Sequence, residues 1–184
     1  SGDALGGPLM AALTEQSSEQ PEFIGVGGSA MTAEGMASLF PISDLSVMGL
    51  AEILPRLRLI FRRMKQTETL ARETRPDIII TIDSPGFNFR LGKRLKYLGI
   101  PLVHYVAPTV WAWKPGRAKK IAQFLDHLLV LLPFEPPYFE IEGLDCTFVG
   151  HSAVSHLPGD GPAFRDRHDI SESAIVLGVL PGSR

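Results

Sequence analysis

Asp83 closes a run of apolar, mostly β-branched residues, Ile78-Ile79-Ile80-Thr81-Ile82, and is followed by Ser84-Pro85-Gly86 and then Asn88. A carboxylate there lies at the edge where α/β sheets bind ligands, partly desolvated, and can take a proton from a substrate hydroxyl. The same place also suits a turn or helix-capping aspartate, so position alone leaves both readings open. Two glycine turns offer a different chemistry. Ser1-Gly2-Asp3 precedes a helical pattern, and Pro181-Gly182-Ser183-Arg184 follows a strand-like one. Backbone N–H groups at a helix start favour anions, and arginine grips a diphosphate bidentately. Neither turn is a Walker A loop or a GxGxxG fingerprint, which counts against ordinary NTPase or NAD chemistry. The five histidines (His104, His127, His151, His156, His168) lack metal-ligand spacing, so no metal site and no cofactor are expected. His151, in the strand-end turn Val149-Gly150-His151-Ser152, is the best placed; lone histidines near strands read as structural.

Charge is divided unevenly. Fifteen of the 18 Lys and Arg fall within 56–120 beside only four acids, giving that stretch +11 against −13 elsewhere. Such asymmetry points to an anionic partner: nucleic acid, an anionic membrane surface or a phosphorylated small molecule. In the helical pattern at 50–71, Leu50, Ile53, Leu54, Leu57, Ile60, Phe61 and Met64 form one core stripe. Leu59 falls opposite, among Arg56, Arg58, Arg62 and Arg63, the pattern of an interfacial membrane helix, although a single exposed leucine is also ordinary surface. Trp111 and Trp113, flanked by Lys114, Arg117, Lys119 and Lys120, fit a stacking platform, an acyl or sugar pocket, or core. No nucleic-acid-binding motif accompanies them, so nucleic acid ranks low.

Positioning these groups requires a packed scaffold. With 45% hydrophobic and 21% charged residues, the chain is neither a disordered tail nor a disulfide scaffold. The single cysteine, Cys146, points to a reducing, cytosolic compartment. No run reaches the roughly 18 apolar residues of a membrane span, and no signal peptide is apparent. Both ends look cut, so a longer protein is expected. Helical patterns at 4–15, 47–74, 88–98, 116–125, 134–142 and 164–168 alternate with strand patterns at 23–26, 78–82, 101–106, 127–132, 147–149 and 174–180. Apolar strands separated by helices imply a doubly wound parallel α/β sheet covered on both faces. The expected domains are a Rossmann-like unit over 1–154, a linker at 155–163 and the opening of a second domain at 164–184.

Taken together, these residues resemble the lipid-A-disaccharide synthase family, inverting glycosyltransferases of Gram-negative envelope synthesis. The matching segments are 1–3 (SGD), 23–28 (FIGVGG), 31–35 (MTAEG), 47–49 (VMG), 82–88 (IDSPGFN), 104–113 (HYVAPTVWAW), 132–135 (LPFE), 148–151 (FVGH) and 180–184 (LPGSR). The resemblance implies a two-domain GT-B fold, of which this chain is most of the acceptor-side half, lacking the first strand. The implied reaction joins UDP-2,3-diacylglucosamine to 2,3-diacylglucosamine 1-phosphate, releasing UDP without a metal. By position, Asp83 falls on the catalytic base; Ser1, Gly2, Asp3, Asn88, Trp111 and His151 fall on the substrate side. Gly182, Ser183 and Arg184 fall on the UDP diphosphate site. Arg56, Arg58, Leu59, Arg62 and Arg63 fall on a membrane-docking helix, which implies a peripheral protein on the cytoplasmic face of the inner membrane. The family's loop carries a glutamate ahead of the Ser-Gly-Asp turn; it is absent here, so the chain alone is expected to be inactive. Oligomeric state stays open. The alternatives are another GT-B UDP-sugar transferase, a UDP-sugar epimerase, or a non-catalytic module that docks on anionic membranes.

Overall fold

Four short strands pair as one parallel sheet in the order β1-β2-β3-β4: β1 Ile79–Ile82, β2 Leu102–Tyr105, β3 His127–Val130 and β4 Cys146–Phe148. The computed structural model describes residues 2–45, 50–151, 154 and 159–179, with 50–54 described by their backbone. Parallel neighbours need a crossover, and helices supply each one. α4 (Pro85–Leu95) joins β1 to β2, α5 (Arg117–Ile121) joins β2 to β3, and α6 (Pro137–Glu140) joins β3 to β4. Three helices precede them in the chain: α1 Gly2–Gln16, α2 Ser29–Ala33 and α3 Leu50–Thr74. The expected α/β parallel sheet is therefore present.

The core has two parts. Leu102, Leu128, Val130 and Phe139 pack with Ile121, Phe124 and Leu144; Leu128, Val130 and Phe139 are fully buried. Met64 and Ala71 of α3 meet Leu91 and Leu95 of α4, with Leu98 and Ile100. Each fully buried Leu or Phe is worth about 1.5–3 kcal/mol. α4 runs into a 3-10 turn, Lys96–Leu98, and stops at Gly99, whose φ of +66° is the left-handed conformation that glycine adopts without strain. Asp126 then ties the turn to the sheet, accepting the Leu102 N–H at 2.9 Å and pairing with Lys96 Nζ at 2.6 Å.

Several elements differ from the sequence pattern. The stretch 23–26 is not a buried strand: it makes one parallel bridge, Gly25 to Ser38, and Ile24 is 40% exposed. A strand is defined by its neighbours, and this one lacks a row of them. The helices expected at 116–125 and 134–142 shorten. Phe124 and Leu125 both donate to Ile121 O, tightening the end of α5 into a turn, and Pro136 and Pro137 can only stand at the start of α6.

On α3, Leu57, Ile60 and Met64 of the expected stripe face inward, and two residues depart from it. Phe61, expected inside, is 56% exposed, whereas Leu59, expected outside, is half-buried. That side of α3 has a second packing partner. Arg63 Nη2 meets Asp44 Oδ2 at 2.6 Å, and its guanidinium lies 4.7 Å from the Phe40 ring centre. At about 100° per residue, Leu59 shares that side with Arg63, and Phe61 turns toward Arg58 and Lys65.

The backbone divides into two compact units, 1–151 and 152–184. In the second, α7 (Gly161–Arg167) begins inside the stretch expected as linker. Asp160 caps it by accepting the Ala163 N–H at 3.0 Å, and Pro162 occupies its first turn. Residues 174–179 form no strand, and Ile175, Leu177 and Val179 are exposed. Among the described residues no strand pairs with this run. The expected helix start at 47–49, linker residues 155–158, Leu180, Ser1, Gly182, Ser183 and Arg184 lie outside the described residues.

Candidate active site

The carboxyl end of β1 is built around a backbone reversal. Asp83 and Ser84 both adopt left-handed conformations, with φ of 52° and 45°. Two consecutive non-glycine residues there cost about 1–3 kcal/mol each and persist only where neighbours hold them. Three groups do so. The Asp83 N–H donates to Tyr105 O at 2.9 Å, extending the ladder past β1. The Asn88 amide donates from Nδ2 to Asp83 O at 2.7 Å and to Ile82 O at 3.1 Å. The start of α1 abuts the same point: a Cβ on Gly2 would stand 3.1 Å from Ile82 O and 3.8 Å from Asp83 Cβ. Gly2, Asp83 and Asn88 are thus brought together, with Asn88 bracing the turn through its side chain.

Asp3 faces elsewhere. Its carboxylate accepts N–H bonds from Gly28 at 2.7 Å, Ala30 at 3.0 Å and Met31 at 3.1 Å. It fills the place where α2 would hold an anion. Burial raises its pKa, but the donors of Ala30, Met31 and Gly28 outweigh that and hold the carboxyl below its ordinary range. Asp3 therefore joins α1 to α2 rather than standing open to a ligand.

Beneath the reversal lies His104, which the sequence reading grouped with the structural histidines. It is fully buried, its Nδ1 is 2.7 Å from Thr81 Oγ1, and its ring meets Phe89 edge-on at 4.8 Å. Burial pushes it down to about 4, against the opposing pull of Asp83 and of the Val106 backbone, so it is neutral at physiological pH. The signal for it was a polar pair, Thr81 and His104, in two otherwise apolar strands.

Farther along the same sheet edge, Glu135 is buried and accepts the N–H groups of Leu132 at 2.9 Å and Leu131 at 3.2 Å, closing the loop after β3. Trp111 is 43% exposed and stands edge-on to Phe134 at 5.4 Å; Trp113 is 67% exposed, with Lys114 Nζ over its ring at 4.6 Å. Neither tryptophan is core. His151 is exposed just beyond β4. Among the described residues no three His, Cys, Asp or Glu side chains gather closely enough to hold a metal ion, and no helix is long and apolar enough to cross a membrane.

On α3, Arg56, Arg58 and Arg62 are exposed, while Arg63 is engaged with Asp44 and with Gln66 at 2.8 Å. The exposed apolar residue among the bases is Phe61, not Leu59.

Comparison with known proteins gives the family. The chain is 58% identical to a lipid-A-disaccharide synthase of Rhodospirillum centenum, covering all of this chain and 47% of that protein. It is 54% identical to one from Paramagnetospirillum magneticum and 48% identical to one from Ruegeria pomeroyi, covering all of this chain and 48% and 46% of theirs. It spans about half the length of the curated relatives it matches. A family model described as Lipid-A-disaccharide synthetase matches residues 1–184. Matched from end to end, the chain belongs to that family.

Proposed function

We propose that this chain supplies the acceptor-side half of a glycosyltransferase of lipid A biosynthesis. The observation that carries the reading is the Asp83 reversal at the ligand edge, whose backbone is held by Tyr105, Asn88 and the start of α1. In the reaction, Asp83 accepts the proton of the acceptor's 6-hydroxyl as that oxygen attacks the anomeric carbon of UDP-2,3-diacylglucosamine from the face opposite the diphosphate. The C–O bond to 2,3-diacylglucosamine 1-phosphate forms as the bond to UDP breaks, giving inversion. Inversion and independence of metal follow from the family resemblance. Ser1, Gly2, Trp111 and His151 line the acceptor side in this reading. Gly182, Ser183 and Arg184, in the opening stretch of the donor-side domain, bind the departing diphosphate, whose charge Arg184 neutralises.

The location proposed with this is peripheral, on the cytoplasmic face of the inner membrane, because both substrates carry acyl chains. Arg56, Arg58, Arg62 and Phe61 of α3 supply the charge and the apolar contact. The test uses a full-length synthase containing this segment, given both acylated substrates in mixed micelles. Equal amounts of UDP and disaccharide 1-phosphate are the expected products. Epimerised UDP-sugar, or UDP without disaccharide, would overturn the reading.

A further inference from the structure

We propose that Thr81 and His104 form a buried positioning pair that holds Asp83 in its reactive conformation. The proposal rests on Asp83 being the base assigned above. Thr81 and His104 are register partners on β1 and β2, joined at 2.7 Å. The residue two beyond each partner is left-handed: Asp83 at φ 52° and Val106, a β-branched residue, at φ 83°. Ladder bonds run right up to both, from Asp83 N to Tyr105 O and from Val106 N to Leu129 O at 3.0 Å. The polar pair thus lies one register step, Ile82 to Tyr105, before two strained ends that lie side by side.

The pair is costly in a way that packing does not explain. His104 Nε2 is buried and makes no well-formed hydrogen bond among the described residues, although the Val106 backbone draws on the ring. A buried nitrogen left so is destabilising, and so is each left-handed residue near it. Phe89 packs on the ring and would pack as well on a phenylalanine. Stability is given up at one point, and that point adjoins Asp83. A neutral imidazole also suits the task, because a buried cation there would pair with the carboxylate and weaken it as a proton acceptor.

The experiment compares His104→Phe, His104→Asn and Asp83→Ala in a full-length synthase containing this segment, reading kcat, KM for the nucleotide sugar and Tm. His104→Phe keeps the ring and removes both nitrogens. Its expected Tm is close to wild type, because an apolar ring of the same shape relieves the buried Nε2 while Thr81 Oγ1 keeps its bond to Val103 O at 3.3 Å. Its kcat falls by about 10- to 100-fold, the scale of a small misplacement of a reacting group, with KM within about 2-fold. His104→Asn, whose amide can reach Thr81, recovers part of kcat. Full kcat in His104→Phe overturns the proposal, as does a loss of activity that follows a fall in Tm or a failure to fold. Asp83→Ala separates the two readings. Normal turnover there sinks the base assignment, whereas an inactive Asp83→Ala beside a fully active His104→Phe sinks only the positioning role.

Discussion

Asp3 Oδ1 accepts the Gly28 N–H at 2.7 Å, and a Cβ on Gly28 would lie 2.6 Å from Asp3 Oδ2. The carboxylate and the missing side chain are two halves of one joint, which fastens the start of α1 to the start of α2. Since Gly2 touches the end of β1, the joint also fixes what lies against Asp83.

Removing the carboxylate with Asp3→Ala is expected to cost about 0.5–2 kcal/mol in urea unfolding, as for other helix caps. Gly28→Ala should be destabilising alone but much less so in the Asp3→Ala background, where the clashing oxygen is gone. Strict additivity of the two would contradict the joint. The folded-state carboxyl is held below its ordinary value. Its contribution is therefore present above the unfolded value near 3.9 and is lost as pH falls through the lower folded value.

Asp83→Ala in a full-length synthase should lower turnover by about 10²–10⁴, the usual worth of a positioned acid or base, with affinity for the nucleotide sugar little changed. Calorimetry and initial rates together check this. Asn88→Ala should give a smaller loss of turnover, because it frees the Ile82 and Asp83 carbonyls while leaving the reacting carboxylate in place.

On α3 the arginines should divide into two groups. Replacing Arg58 and Arg62 by Ser together with Phe61→Ser is expected to release a full-length synthase from anionic vesicles, with cooperative unfolding unchanged. Each Arg near an anionic surface is worth about 1 kcal/mol, and that part weakens with salt. Arg63→Ser should instead lower stability by on the order of 1–3 kcal/mol through loss of the Asp44 hydrogen bonds, with little effect on vesicle binding. Co-sedimentation at low and high salt, beside urea unfolding, distinguishes the groups.

The Cys146 thiol should react slowly. Burial, and then the acids Glu140, Asp145 and Glu135, push it up to about 12, and Sγ donates to Leu144 O at 3.4 Å. Only the thiolate attacks, so alkylation of the folded chain at pH 8 should be roughly 10²–10³-fold slower than in urea. Comparable rates in the two states would show that the acidic neighbours exert no hold.

Much of the scaffold was legible because a parallel sheet writes itself into sequence as short apolar runs between helices, and 79–82, 102–105 and 127–130 fell inside those runs. Asp83 was legible for the same reason, since the end of such a run is a defined place. What failed depended on partners distant in sequence. Arg63, on the side of α3 that Leu59 shares, meets Asp44 and Phe40, and periodicity within α3 holds no record of them. The engagement of Asp3 depends on α2, more than twenty residues away. His104 reads as an ordinary core histidine until its unpaired nitrogen and the strained ends of β1 and β2 are seen together.

The strand order has a consequence for how the chain is made. Each strand pairs with the next one in sequence, so Ile79 meets Leu102, Val103 meets His127 and Leu128 meets Cys146. Among the described residues no strand pairs with a distant one. A ribosome adding about 5–20 residues per second delivers each successive strand within seconds of its partner. The sheet can therefore zip up in one direction as it leaves the exit tunnel, and the Asp83 reversal can be set as soon as β2 has docked.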